Sequence, residues 1–111
     1  MTTKQLFLLA SELCPMEQNE FLLHLGGAVR SLLSRYPTSL LCREGDGEIR
    51  SPRSLEEDHG IHELYSGALV QGVIAGKSGE ERERIAFLEE ADATYRTLWR
   101  RAARGKRHTG R

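Results

Sequence analysis

Two histidines three residues apart, His59 and His62, form the one cluster in the sequence whose residue types could bind a metal ion. An acidic residue stands on each side of the pair, at Asp58 and Glu63, and both imidazole and carboxylate groups are zinc ligands. No third ligand follows at a defined spacing, and the two cysteines lie far away, at positions 14 and 42. We therefore predict that these residues are ordinary polar side chains at the start of a helix and that the protein binds no metal.

Carboxylates also alternate with glycine in the segment EGDGE, which carries Glu44, Asp46 and Glu48. Such a run could suggest calcium binding, but it lacks the length and the distal bidentate glutamate of a calcium-binding loop. The sequence contains no G-x-S-x-G motif, no phosphate-binding glycine-rich loop and no H-E-x-x-H motif. We therefore predict that the protein is not an enzyme and uses no cofactor.

Charge is divided along the chain, although the formal net charge is zero. Residues 1–95 hold 16 acidic residues against nine basic ones, a net charge of −7, whereas residues 96–111 hold seven basic residues and no acidic one. A basic end beside an acidic body suggests contact with an acidic surface. The end has no aromatic residue after Trp99 for stacking on bases, so we expect docking on a protein rather than on DNA.

Apolar residues at helical spacing predict four helices. The first covers residues 3–13, and the second covers residues 16–36 between two prolines. The third covers residues 61–75. The fourth covers residues 79–103 and ends at Gly105, because glycine favours the left-handed conformation that closes many helices. We expect the basic residues beyond it to be disordered in the free subunit and to order on a partner.

Between the second and third helices the sequence predicts a β-hairpin over residues 38–51. Its turn would be Asp46-Gly47, a favoured dipeptide because both residues can adopt positive φ. We expect the charged tip to be exposed and to carry an assembly contact. The predicted fold class is therefore mainly α: a single four-helix bundle-like domain, residues 1–103, with one β-hairpin between helices 2 and 3. A basic, flexible C-terminal arm, residues 104–111, follows it.

The predicted third helix, within HELYSGALVQGVIAG, is apolar on nearly every side. A helix of this kind is buried on all sides, and a chain of 111 residues can hardly enclose one completely. We therefore expect part of it to contact another subunit. The spacing of Gly72 and Gly76 also indicates that another helix passes close by. The subunit-packing residues would be Leu64, Ala68, Leu69 and Val73.

The order of elements, with the sequence of the last two helices, resembles the small head–tail connector proteins (adaptor or head-completion proteins) of tailed bacteriophages and prophages. The resemblance lies in an Ala/Gly-rich helix that contains a tyrosine, followed by an acidic-capped helix with phenylalanine and tyrosine. It implies a non-enzymatic virion protein, made in the host cytoplasm, that forms a homo-oligomeric ring between the portal and tail proteins. The residues that carry the resemblance are Leu64, Tyr65, Ala68, Leu69 and Val70, then Phe87, Ala91 and Tyr95.

Two other classes of function stay open. One is a small nucleic-acid-binding protein that uses the basic arm, and nonspecific DNA contact is also a second role for the arm in a connector. The other is a helical regulatory protein that binds a host partner. No stretch approaches 18 apolar residues, so no membrane contact is predicted. The partner-binding residues would be Arg100, Arg101, Arg104, Lys106, Arg107 and Arg111 in the basic end, with Glu44, Asp46 and Glu48 in the hairpin tip.

Overall fold

The structure, a computed structural model, describes residues 1–43 and 48–109, with side chains described up to Arg104. This part of the chain is mainly helical, as predicted. Its elements, in chain order, are α1 (Thr3–Leu13), α2 (Gln18–Arg35), a 3₁₀ turn (Thr38–Leu40), a second 3₁₀ turn (Glu63–Tyr65), α3 (Ser66–Ser78) and α4 (Glu81–Thr109).

The helix ends follow local chemistry. Thr2 begins α1 with a capping box, in which its hydroxyl accepts from the Gln5 amide at 3.1 Å and the Gln5 side chain accepts from the Thr2 amide at 2.8 Å. The bounds predicted for the first helix are confirmed. Gly79, with φ of +69°, closes α3 in the left-handed conformation, so the third helix ends later than predicted.

The predicted β-hairpin is wrong: residues 1–43 and 48–109 contain no β-strand. The segment after α2 pairs instead with the segment before α3. The Arg43 amide donates to the Gly60 carbonyl at 2.9 Å, and the His62 amide donates to the Leu41 carbonyl at 2.7 Å. Leu41 and Ile61 are both fully buried by this pairing. A two-stranded hairpin alone is only marginally stable in water. The free energy gained by burying the Leu41 and Ile61 side chains is therefore larger than the free energy that an Asp-Gly turn could contribute. The tip residues 44–47 lie outside the described residues.

α3 is the central helix, and it packs against α1, α2 and α4. Ala68, Leu69 and Val73 are fully buried in the core of this one chain, which also contains Tyr65. One chain therefore buries the side of α3 that carries Ala68, Leu69, Val70 and Val73, whereas Gly67 and the last turn of the helix are exposed. Contact of this exposed part with another subunit stays a prediction. Leu64 is 40% exposed within one chain, and its packing against another subunit stays a prediction.

Small residues let α3 approach its neighbours closely. A Cβ atom at Gly72 would lie 2.8 Å from the Ala28 methyl group of α2 and 2.8 Å from the Phe87 ring of α4. A Cβ atom at Gly76 would lie 2.6 Å from the His24 ring of α2. The close helix contact predicted from the spacing of these two glycines is confirmed.

α4 passes through Gly105 and continues to Thr109, so the predicted end of the fourth helix is wrong. Glycine inside a helix costs about 1 kcal/mol relative to alanine. Its neighbours Ala103, Arg104 and Lys106 are strong helix formers, and basic residues favour the negative end of the helix dipole. Whether residues 104–111 act as a flexible arm stays a prediction.

The close contact at Gly72 predicts that alanine lowers the stability of the protein at position 72 but not at position 27. Gly72→Ala should lower the free energy of unfolding by about 1–3 kcal/mol, because the new methyl group overpacks the site between α2 and α4. Gly27→Ala is the matched control, since a Cβ atom there meets no atom within 4 Å. The control should raise the free energy of unfolding by about 0.4–1 kcal/mol. Urea denaturation followed by circular dichroism measures both, and equal stability of the two variants would contradict the close contact.

Candidate interaction surface at the basic end of α4

The first part of α4 is held firmly against the rest of the chain. Phe87, Ala91 and Leu98 are buried, and the Phe87 ring lies against Gly72 of α3. The next face contacts the end of α2, where the Tyr36 and Tyr95 rings stack with centroids 4.7 Å apart. The inner side of α4 is therefore occupied as far as Leu98.

A polar contact reinforces the junction of α2 and α4. The Tyr36 hydroxyl donates to the Asp92 carboxylate, and the Arg35 guanidinium lies 3.6 Å from the same carboxylate. Burial raises the pKa of Tyr36, and donation to the Asp92 carboxylate raises it further. Asp92 is thus engaged within the chain, although Arg96 lies only one turn away on the same helix.

Beyond Leu98, α4 extends away from the core. Trp99 is 55% exposed, and Arg100, Arg101 and Arg104 are exposed. The helix from residue 99 to residue 109 has a length of about 16 Å at 1.5 Å per residue. The last turns of α4 therefore form a helix end outside the core, and the exposed side chains of Arg100, Arg101 and Arg104 give it a basic surface.

The arginines of this surface have no ion-pair partner among the residues that the structure describes; these are Arg96, Arg100, Arg101 and Arg104. Three of them, at positions 96, 100 and 104, recur every four residues and so lie along one face. Like charges at this spacing repel each other weakly in water. An anionic partner would relieve that repulsion, which makes this face the candidate interaction surface.

The structure describes only part of the partner-binding set that the sequence predicts. The side chains of Lys106 and Arg107, and all of Arg111, lie outside the described residues, as do Glu44 and Asp46. Glu48 is exposed, and its carboxylate lies 2.7 Å from the Arg50 guanidinium. Two residues that the prediction did not include, Arg96 and Trp99, belong to the basic surface. Helical spacing back from Arg100 could have identified Arg96, and Trp99 lies three residues after Arg96.

The histidine pair does not converge on a common point. His59 is 1% exposed; its Nδ1 accepts from the Ile61 amide at 2.9 Å and its Nε2 donates to the Met1 carbonyl at 2.9 Å. His62 caps the 3₁₀ turn, with its Nδ1 accepting from the Leu64 amide at 3.1 Å. His59 is therefore a core residue and His62 is a polar residue at a helix start.

The acidic neighbours of these histidines also bind protein groups. Asp58 accepts two bonds from Arg43, at 2.6 and 3.0 Å, and this guanidinium holds the pKa of the Asp58 carboxyl far below its usual range. Glu63 accepts from the amino group of Met1. Within residues 1–43 and 48–109 no group of three or more His, Cys, Asp and Glu side chains could hold a metal ion.

Cys14 and Cys42 are free and half-buried. No helix in the described ranges is both long enough and apolar enough to cross a membrane. Comparison with protein families, with curated proteins and with solved structures gives no match. Function is therefore inferred from the surface of the chain itself.

The bonds of His59 predict a loss of stability in mild acid. Burial lowers the pKa of the folded-state imidazole below its ordinary value near 6.5. Above pH 6.5 the contribution of neutral His59 is complete, and it is lost as the pH falls from 6.5 through the folded-state pKa, since the unfolded chain binds the proton first. The free energy of unfolding should therefore fall by up to about 1.4 kcal/mol per pH unit in that window.

Denaturant unfolding at several pH values between about 7.5 and 5 measures this loss. His59→Gln should be less stable at neutral pH but should lose this part of the pH dependence. His62→Gln is the matched control, because it removes a histidine from the same loop and leaves His59 in place. A pH dependence that is unchanged in His59→Gln would show that other groups cause it.

Proposed function

We propose that this chain is a structural, non-enzymatic assembly protein similar to the head–tail connectors of tailed bacteriophages. In this proposal copies of the chain form a ring between a portal and a tail, and the basic end of α4 binds an acidic surface of the portal. The observation that carries the proposal is the projecting helix end, whose exposed arginines lack ion-pair partners within the described part of the chain.

A helical projection suits an assembly contact better than a disordered one. Association must offset the loss of conformational freedom of every segment that it orders, and a preformed helix has already lost most of that freedom. The first part of α4 is fixed to the core by the buried side chains of Phe87, Ala91 and Leu98, so the position of its basic end relative to the core is also fixed. The basic end and the acidic body also give one copy two complementary surfaces, as head-to-tail contacts in a closed ring require.

Burial within a single chain weakens the argument for a ring that was based on α3, because Ala68, Leu69, Val70 and Val73 need no second copy to cover them. Apolar side chains are exposed elsewhere instead. Leu8 and Leu13 on α1 are 54% and 64% exposed, and Leu23 on α2 is 66% exposed. Neighbouring copies could bury these side chains, so subunit contacts through α1 and α2 are part of the proposal.

Binding to isolated portal rings tests the proposal. The wild-type chain should add a layer to portal rings encoded by the same phage or prophage, seen by electron microscopy and sedimentation velocity. Removing three cations, in Arg100→Gln, Arg101→Gln and Arg104→Gln together, should weaken binding about tenfold, at about 0.2–1 kcal/mol per exposed contact. Raising salt from about 0.15 M to about 0.5 M should weaken the wild type similarly.

The matched control replaces three exposed arginines outside α4's end, by Arg50→Gln, Arg53→Gln and Arg82→Gln. It should bind as the wild type does, because its net charge changes equally but its basic end is intact. Equal binding by all three proteins at every ionic strength would exclude the basic end as the contact. Absence of any added layer with the wild-type chain would exclude the connector function.

Nucleic-acid binding is the second candidate, and the exposure of Trp99 favours it. An exposed indole beside Arg100 could stack on a base while the arginines contact phosphates. Trp99 is the one tryptophan of the chain, so its fluorescence reports such stacking directly.

Titration with a single-stranded oligonucleotide tests this second candidate. If it is correct, binding should quench the Trp99 fluorescence and weaken with salt. The variant lacking Arg100, Arg101 and Arg104 should then lose about 2 units from the slope of log affinity against log salt, at about 0.7 per phosphate contact. Unchanged fluorescence at saturating oligonucleotide and low salt would exclude stacking by Trp99.

A further inference from the structure

The outward face of α4 changes sign at Ala93. Glu89 and Glu90 precede it, and Arg96 and Arg100 follow it; all four side chains are exposed, as is Ala93 itself. None of the four forms an ion pair with another described residue. Phe87 and Ala91 are buried on the opposite side of the helix, so a partner can reach this face. Glu90 lies at the edge of the face, with its carboxylate oxygen 3.0 Å from the position that a Cβ atom at Gly67 of α3 would take.

We propose that a second copy of the chain docks on this face, with the two α4 helices antiparallel and crossing at Ala93. Antiparallel helices that meet at residue 93 place position 90 of one copy at the level of position 96 of the other, and position 86 at the level of position 100. At about 100° per residue, Glu89 and Arg96 lie on the same side of Ala93. Arg96 therefore lies beside Glu89 of the second copy, and Arg100 lies within one turn of that Glu89, while Glu90 lies on the other side of the crossing. A two-fold axis repeats each contact, so the surface is complementary to itself.

The methyl group of Ala93 permits this crossing. Helix axes approach within about 8 Å only where the side chains at the contact are small. The centre of the face carries only small side chains, those of half-buried Ala86 and exposed Ala93. The long charged side chains lie on either side of them. Long arginine stems can also cover apolar side chains, and Ile85, which is 45% exposed, lies opposite position 101 in this arrangement.

Charge complementarity selects a second copy in this orientation. A parallel pair would place Glu89 against Glu89 and Arg100 against Arg100, which repel. An acidic peptide would satisfy the arginines but would also meet the carboxylates of Glu89 and Glu90. A helix with the same division of charge, in the opposite direction, satisfies both halves.

The pair should be weak and sensitive to salt. A crossing of two helices buries less than about 1,200 Å², which is the range of transient contacts, and its ion pairs are exposed. The inference does not rest on the proposed function, because it needs no portal or tail protein. Since pairing covers Arg96 and Arg100, it would compete with other partners of the basic surface.

Charge reversal with mixing tests the pairing by sedimentation equilibrium at about 0.05 M salt, where screening is weak. Glu89→Arg with Glu90→Arg makes the face wholly basic, and Arg96→Glu with Arg100→Glu makes it largely acidic. Each variant alone should be monomeric at concentrations where the wild type dimerises. An equimolar mixture should form a one-to-one dimer at least as tight as that of the wild type.

Two further measurements keep the result interpretable. The matched control Glu12→Arg with Glu56→Arg changes two exposed acidic residues elsewhere and should dimerise as the wild type does. Circular dichroism should show that each variant is folded, and the milder pair Arg96→Gln with Arg100→Gln, which should weaken dimerisation, replaces any variant that is not. The proposal is overturned by a wild type that stays monomeric up to about 1 mM, because a Kd above that value corresponds to less than about 4.1 kcal/mol of binding free energy. It is equally overturned if dimers persist in both charge variants, or if mixing restores none.

Discussion

The close approach of α2, α3 and α4 around Gly72 is the contact on which the rest of the fold depends. The Ala28 methyl group and the Phe87 ring both lie where a side chain at position 72 would stand. Because α3 can come this near to two helices at once, a helix of 13 residues becomes the centre of a small core. Its neighbours α1, α2 and α4 then bury their apolar sides against it, and the remaining loops only need to close the ends.

The loop between α2 and α3 closes one end through a few directional contacts. The buried Tyr65 hydroxyl donates to the Leu40 carbonyl at 3.1 Å, and burial raises the pKa of this hydroxyl well above its usual range. Gly60 has φ of +76°, and the Glu48 carbonyl lies where its side chain would be. His59 ties the same loop to residue Met1. His59 and Asp58, which the sequence suggested as metal ligands, therefore stabilise this loop. Both form hydrogen bonds with other groups of the protein.

The inner side of α4 carries buried apolar side chains, and its outer side carries exposed charged side chains. The helix is anchored as far as Leu98, and its arginines then stand on a projecting end without ion-pair partners among the described residues. Glu89 occupies the anchored part of the same face, and Glu90 lies at its edge, near Gly67 of α3. Within one copy these opposite charges are too far apart along the helix to pair, so their attraction is available to other molecules. A connector contact and the pairing of two copies both use this property.

Helical periodicity in the sequence determined the number of helices, the bounds of α1 and the close contact at Gly72 and Gly76, because these depend on residues within a few turns. The basic end was also visible from composition, although helical spacing was needed to add Arg96 and Trp99. Two features were decided only by the tertiary structure. Cys42 and Ile61 pair across 19 residues where a hairpin was expected, and the apolar side of α3 that carries Ala68, Leu69 and Val73 is buried within its own chain. Local helix preferences amount to about 1 kcal/mol per residue, whereas burial of one large apolar side chain contributes about 1.5–3 kcal/mol. Burial of Leu41 and Ile61 by contacts between distant segments therefore outweighed the local turn signal.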